Sequence, residues 1–135
     1  MNYRVDVTVT APVHDTELED RVARAITTLF PTAEVERADG QLRAETHDLE
    51  HLSERLHAQR ILDSARAAFF EGRQGDRFSF RLKKQPALHD VANFAVGTGS
   101  ELGDLQVEVR VHEPDVEAYV DHVAPRTDAE GKPID

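Results

Sequence analysis

The residues best equipped for chemistry by charge lie around one alternating run. In Arg77-Phe78-Ser79-Phe80-Arg81-Leu82-Lys83 polar and apolar residues take turns, and all the polar ones but Ser79 are basic. In a strand, where successive side chains leave opposite faces, this puts Arg77, Arg81 and Lys83 on one side and Phe78, Phe80 and Leu82 on the other. Same-face neighbours stand roughly 7 Å apart, and an arginine fork can hold two oxygens of one phosphate. Lys84 follows at the strand end, and Arg60 and Arg66 precede it in a helical segment. Residues 60–84 carry 7 bases and 3 acids, against 6 and 12 in residues 1–59 and 3 and 11 in residues 85–135. The expected phosphate contacts are therefore Arg77, Arg81, Lys83 and Lys84, helped from the helix side by Arg60 and Arg66. Arg4, Arg37, Arg43 and Arg110 join them if the strand registers agree. Two other uses of the same residues stay open: cross-strand ion pairs with acids such as Asp6 and Glu108, and a dimer interface.

Other constellations carry less. His47 and His51 have the i, i+4 spacing of two ligands on one helix face, with Glu50 and Glu54 near, but His47 precedes the helix and no further ligand is specified. The loop Gly97-Thr98-Gly99-Ser100-Glu101-Leu102 departs from a dinucleotide fingerprint at its sixth position, lacks a lysine, and carries Glu101 with Asp104 close behind. It reads as a connection. Ser64, Ser79 and Ser100 have no activating motif around them, and Asp63 reads as a helix-face carboxylate. The absence of cysteine removes disulfides, thiolate metal sites and a thiol nucleophile together. No catalytic residue, metal or cofactor is expected. Single-stranded RNA read on a sheet calls for outward aromatic rings that stack on bases, whereas Phe78 and Phe80 fall opposite the basic residues, so contact with RNA would rest on backbone and shape.

The elements that must position these residues can be read along the chain. Tyr3, Val5, Val7 and Val9 alternate with Arg4, Asp6, Thr8 and Thr10, a half-buried strand stopped by Pro12. Thr16 and Glu19 have capping-box spacing ahead of a helix with the stripe Leu18, Val22, Ile26 and Leu29, ended by Pro31. Strands at 34–37 and 41–46 meet across Asp39-Gly40, a hairpin turn. Asp48 caps a helix whose two stripes, Leu49, Leu52, Leu56 and then Leu62, Ala65, Phe69, are out of phase, so a break is expected near His57 to Arg60. The basic strand spans 77–84. A loop follows Pro86, with a short strand near 93–96, then a strand around Leu105 to Val111 and a helix over 115–123. Alternation without continuous apolar runs predicts an α+β fold with an antiparallel or mixed sheet, helices packed on one face and the other face open.

Length fits one domain, residues 1–124, with an acidic tail, 125–135, expected to be disordered. The N-terminus enters the first strand directly and no apolar run is long enough to span a bilayer, so a cytoplasmic protein without a membrane partner is expected. The 26 acids outnumber 16 bases, among which lysine is limited to Lys83, Lys84 and Lys132. Acid excess with scarce lysine is the composition of a halophile surface, because at molar salt the Debye length falls to about 3 Å and self-repulsion is screened.

The run Gln59-Arg60-Ile61-Leu62-Asp63-Ser64-Ala65-Arg66, the segment Phe80-Arg81-Leu82-Lys83-Lys84-Gln85-Pro86-Ala87 leading to Asn93-Phe94, and Leu102-Gly103 together resemble an archaeal family described as RNA-binding. The likeness runs from Tyr3 to about Pro125, and Lys-Gln-x-Ala is its most specific element. Two features depart from it, Pro86, where a small residue other than proline is usual, and the acidity of the surface, as in a haloarchaeal version. The resemblance implies a fold similar to the ribosomal protein that holds 5S rRNA, a tendency to homodimers, and no catalytic residues. The function expected is RNA binding without catalysis through the basic strand face. The alternative is a dimeric interaction module.

Overall fold

The computed structural model describes residues 2–95, 103–130 and 132–133. The elements run β1 (Arg4–Pro12), α1 (Glu19–Leu29), β2 (Glu34–Ala38), β3 (Gln41–Thr46), α2 (Glu50–Gln59), α3 (Leu62–Glu71), β4 (Arg73–Gln74), β5 (Arg77–Leu82), α4 (Lys84–Leu88), β6 (Leu105–Glu113) and α5 (Val116–Val123). The strands form one six-stranded sheet in the order β2-β3-β1-β6-β5-β4. Every pairing is antiparallel, which settles the choice between an antiparallel and a mixed sheet. The two nine-residue strands, β1 and β6, lie side by side at the centre.

Alternation sorts the strands as the sequence predicts. Val5, Val7, Val9 and Ala11 of β1, Leu42 and Ala44 of β3, Phe78, Phe80 and Leu82 of β5, and Leu105, Val107, Val109 and Val111 of β6 are all buried. They meet the apolar stripes of the helices, Val22, Ala25, Ile26 and Leu29 from α1, Leu52 and Leu56 from α2, Leu62, Ala65 and Phe69 from α3, and Val116, Tyr119, Val120 and Val123 from α5, in a single core. Phe69 anchors its aromatic part, with ring centroids 4.7 Å from Phe80 and 5.1 Å from Phe78. The Tyr119 hydroxyl accepts a hydrogen bond from the Leu49 amide at 3.1 Å, and burial pushes its pKa well up.

The expected break between the two helical stripes falls at Arg60, which ends α2 in the left-handed region at φ 58. Asp115 caps α5, accepting from the Ala118 amide at 2.8 Å. Gly40 takes φ 71 in the β2–β3 hairpin. Gly72, at the end of α3, has no room for a side chain, since a Cβ there would meet the Ser79 carbonyl oxygen at 1.9 Å.

Two local expectations are corrected. The first helix begins at Glu19 rather than at a Thr16 cap, with Leu18 at its N-cap and 68% exposed. The preceding residues form a turn instead, in which the Glu17 carboxylate accepts from the His14 amide at 3.0 Å. β5 stops at Leu82, and Lys84 to Leu88, expected as strand end and loop, form the short helix α4 packed against α1. Pro86 is compatible with that helix because it sits in its first turn, where its missing N–H costs no hydrogen bond. The segment near Asn93 does pair with the end of β5, through a bridge between Leu82 and Phe94 and a bond from the Ala95 amide to the Arg81 carbonyl. The loop 97–102 and Val96 lie outside the described residues. In the tail, the Thr127 hydroxyl bonds the Asp63 carboxylate, and Thr127 bridges to Pro133.

Candidate nucleic-acid interface

The helices cover one face of the sheet and leave the other open. Its outward positions are the alternate residues of each strand, and the registers order them into bands that cross the four inner strands. One band runs Arg43 on β3, Thr10 on β1, Gln106 on β6 and Arg81 on β5. The next runs Glu45, Thr8, Glu108 and Ser79. The third joins Asp6, Arg110 and Arg77, with His47 beside Asp6 at the end of β3. The middle of this face forms a shallow depression of about 350 Å³ lined by Asp6, Thr8, Arg43, Glu108 and Arg110 among others.

Basic groups on this face meet acids of the same chain. Arg77 Nη1 lies 3.2 Å from Glu108 Oε1 across the β5–β6 pairing, and Arg110 Nε lies 3.3 Å from Asp76 Oδ2. Arg43 Nη2 is 3.1 Å from Glu45 Oε1 on its own strand. These side chains are about half exposed, and exposed pairs of this kind are worth at most about 1 kcal/mol. A phosphate can therefore compete for the arginines at small cost. Arg81 differs. Its Nη1 lies 3.4 Å from Asp104 Oδ2, and the Asp104 side chain is only 4% exposed, so the guanidinium is tied to a buried carboxylate while it remains 30% exposed itself.

At the far corner Asp6 is clasped by two imidazoles, with His112 Nε2 at 2.7 Å and His47 Nδ1 at 3.2 Å. The hydrogen bond from His112 is the main reason its carboxyl titrates below the ordinary value. No local pattern signals this clasp, because Asp6 and His112 are brought together only by the β1–β6 register. The two histidines read as a possible metal pair go separate ways: His47 also meets the Val5 carbonyl oxygen, while His51 bonds Asp90 at 2.7 Å. Among the described residues no three His, Asp or Glu side chains are grouped to hold a metal ion.

The six residues singled out by sequence do not form one patch. Arg77 and Arg81 share the open face, and Lys83 stands exposed just beyond it, at the N-cap of α4. Lys84 turns away: its Nζ lies 2.6 Å from the Pro12 carbonyl oxygen and 2.9 Å from Glu17 Oε1, with the side chain 11% exposed. Arg66 belongs to the helical layer, where Nη1 lies 2.6 Å from Asp121 Oδ1 and 3.0 Å from the Ala124 carbonyl oxygen and the guanidinium sits over the Phe70 ring. Arg60 is exposed in the same layer. Of the residues named as possible additions, Arg4, Arg43 and Arg110 occupy outward strand positions, but Arg37 pairs in register with buried Leu42 and reaches Glu19 of α1 at 2.5 Å.

This open-faced sheet is shared with proteins of known structure. A UPF0201 protein from Methanococcus jannaschii superposes with a TM-score of 0.89 at 31% identity, covering 96% of this chain and 99% of that one. A UPF0201 protein from Metallosphaera sedula is 35% identical over 95% of this chain and 92% of its own length. The chain belongs to the UPF0201 family. Residues 6–112, which hold every residue of the three bands, also match a family model described as RNA binding. A third relative, a UPF0200/UPF0201 protein from Archaeoglobus fulgidus, is 33% identical over 96% of this chain, yet the chain spans only 40% of that protein's length. The UPF0201 relatives named here are archaeal. Among the described residues, no helix is long and apolar enough to cross a membrane.

Proposed function

We propose that this chain binds RNA in the cytoplasm without transforming it, using the open face of the sheet to contact the sugar-phosphate backbone. The observation that carries this reading is that the RNA-binding family match over residues 6–112 contains Arg43, Arg77, Arg81 and Arg110, all on that face. Arg77 and Arg81 are the central contacts, and Lys83 extends them at the strand end. Arg60 is an outlying helper. Lys84 and Arg66 support the fold around the site, because each already serves carbonyl and carboxylate oxygens of its own chain. The likeness to the ribosomal protein that holds 5S rRNA, implied by the sequence resemblance, belongs to the same reading.

The near balance of charge on the face favours a second use, as the contact between two copies in a homodimer, since acids and bases in alternate bands let one face meet another without net repulsion. One double variant separates the two. Arg81→Glu with Lys83→Glu should weaken binding to unrelated RNA sequences and flatten the salt dependence, by roughly 0.7 to 0.9 in the slope of log K against log salt per lost phosphate contact. If the same variant instead runs as a monomer in gel filtration where the parent runs as a dimer, with RNA affinity unaltered, the face is a protein interface. Nucleic acid recovered from the protein purified in molar KCl, then sequenced, would identify the RNA directly.

A further inference from the structure

The band Arg43–Thr10–Gln106–Arg81 has a composition unlike its neighbours. Its two ends are guanidinium groups and its two middle positions are a hydroxyl and an amide, all in register on four adjacent strands. The strand spacing sets the Arg43 and Arg81 backbones about 14 Å apart, three steps of about 4.8 Å. Between them Thr10 is half-buried and Gln106 exposed, so both can donate and accept hydrogen bonds at the surface. At one end of the band Arg81 is paired with the buried Asp104 carboxylate.

We propose that this band reads the minor groove of base-paired, A-form RNA, with the two arginines on the phosphates of opposite strands and Thr10 and Gln106 on the 2′-hydroxyls between them. This rests on the RNA reading above and names the form of RNA it requires. Among the described residues, the outward positions of the central strands carry no Phe, Tyr or Trp ring, the broad platforms on which successive unpaired bases stack, and are filled chiefly by Arg, Asp, Thr, Gln, Glu, Ser and His side chains that offer hydrogen bonds and charge. Double-helical RNA presents a wide, shallow minor groove rimmed by phosphates and floored by 2′-hydroxyls, each both donor and acceptor, and is recognised by shape. The minor groove of B-form DNA is only about 6 Å wide and has no 2′-hydroxyl, so a sheet face with arginines this far apart would not enter it.

The test uses the full chain and three probes in fluorescence anisotropy: an RNA duplex of about 16 base pairs, a length a shape-reading domain can cover, the DNA duplex of the same sequence, and each RNA strand alone. The RNA duplex should bind about tenfold or more tighter than the other probes, a preference of the size that one or two charge-assisted hydrogen bonds supply. Thr10→Val with Gln106→Ala should shrink the preference for RNA duplex over DNA duplex by about fivefold, as expected for lost neutral hydrogen bonds, and Arg43→Gln with Arg81→Gln should lower affinity for every probe. Equal or tighter binding of the single strands would overturn the base-paired assignment while leaving RNA binding in place. So would equal binding of both duplexes. If no RNA probe binds, the proposed function itself fails, and the unsubstituted protein gives that answer without any variant having to fold.

Discussion

Lys84 Nζ lies 2.9 Å from Glu17 Oε1, and the two side chains, 67 residues apart, are 11% and 12% exposed. The same ammonium donates to the Pro12 carbonyl oxygen at 2.6 Å, so one lysine ties the end of β1, the turn before α1 and the start of α4 together. This gives a physical role to the Lys-Gln-x-Ala element: Lys84 fixes α4 against α1, and Ala87 is buried in the contact. Removing one partner leaves the other charge poorly solvated. Lys84→Ala should cost about 3 kcal/mol, near the lower end for a broken buried pair, and leave RNA affinity per folded molecule unchanged. Urea melts of the variant beside binding titrations check both halves, and a loss of affinity at full stability would return Lys84 to the binding surface.

Phe80 packs against Phe69, Phe94 and Phe78 with ring centroids 4.7, 5.7 and 6.2 Å away. Its truncation to alanine empties the centre of that cluster and should cost about 3 to 5 kcal/mol. A thermal melt measures it. A variant that kept its stability but lost RNA binding would mean that the two faces of β5 had been assigned the wrong way round.

The parts of the fold that were legible in the sequence are those written in local period. Phe78, Phe80 and Leu82 announce an inward face by alternation, and the phase slip between Leu56 and Leu62 announces the break at Arg60. What stayed hidden depends on contacts distant in sequence. Arg37 looks like a strand arginine available to the open face, and only the β2–β3 register, which sets it beside Leu42, sends it towards α1. Lys84 continues the basic run, and its withdrawal is decided by Glu17, which no local pattern links to it. The Thr16 capping box is locally sound, yet α1 starts at Glu19 and the turn before it carries Glu17 to Lys84. The bands on the open face are likewise a property of pairing register: Thr10 and Gln106 become neighbours of two arginines only once β1, β3, β5 and β6 align.

Asp6 should titrate below its ordinary value of 3.8, chiefly through the hydrogen bond from His112. Because the folded carboxyl is the stronger acid, whatever stability it contributes is present above the unfolded value and is lost as pH falls through the folded one. Asp6 is half exposed, so the contribution to stability is small and the titration itself is the better observable. Following the Asp6 carboxyl carbon by NMR should show the low midpoint in the parent protein and a higher one in His112→Ala. An unmoved midpoint in the variant would mean that His112 is not the cause.

The hairpin β2–β3 is where the acidic composition acts on the fold. Glu34 and Glu45 stand directly opposite each other in its register, a like-charge pair that opposes pairing, and β2 is an edge strand with four of its five residues exposed. Arg43 offsets this in part through Glu45, and Arg37 ties the strand to Glu19. Repulsion between exposed carboxylates is short-ranged in molar salt, where the Debye length is about 3 Å, and long-ranged at about 10 mM, where it is about 30 Å. With a net charge of −10 over the whole chain, lowering salt should therefore loosen the fold, starting at β2. Hydrogen exchange during dialysis from molar to millimolar KCl should show the β2 amides losing protection before those of β1 and β6, with circular dichroism following as salt falls further. Glu34→Gln removes the opposed pair and should lower the salt concentration at which β2 opens. Full secondary structure and a sharp thermal transition at about 10 mM KCl, where screening is weak, would show that the acidic surface is no adaptation to salt and that the hairpin is held by its backbone pairing alone.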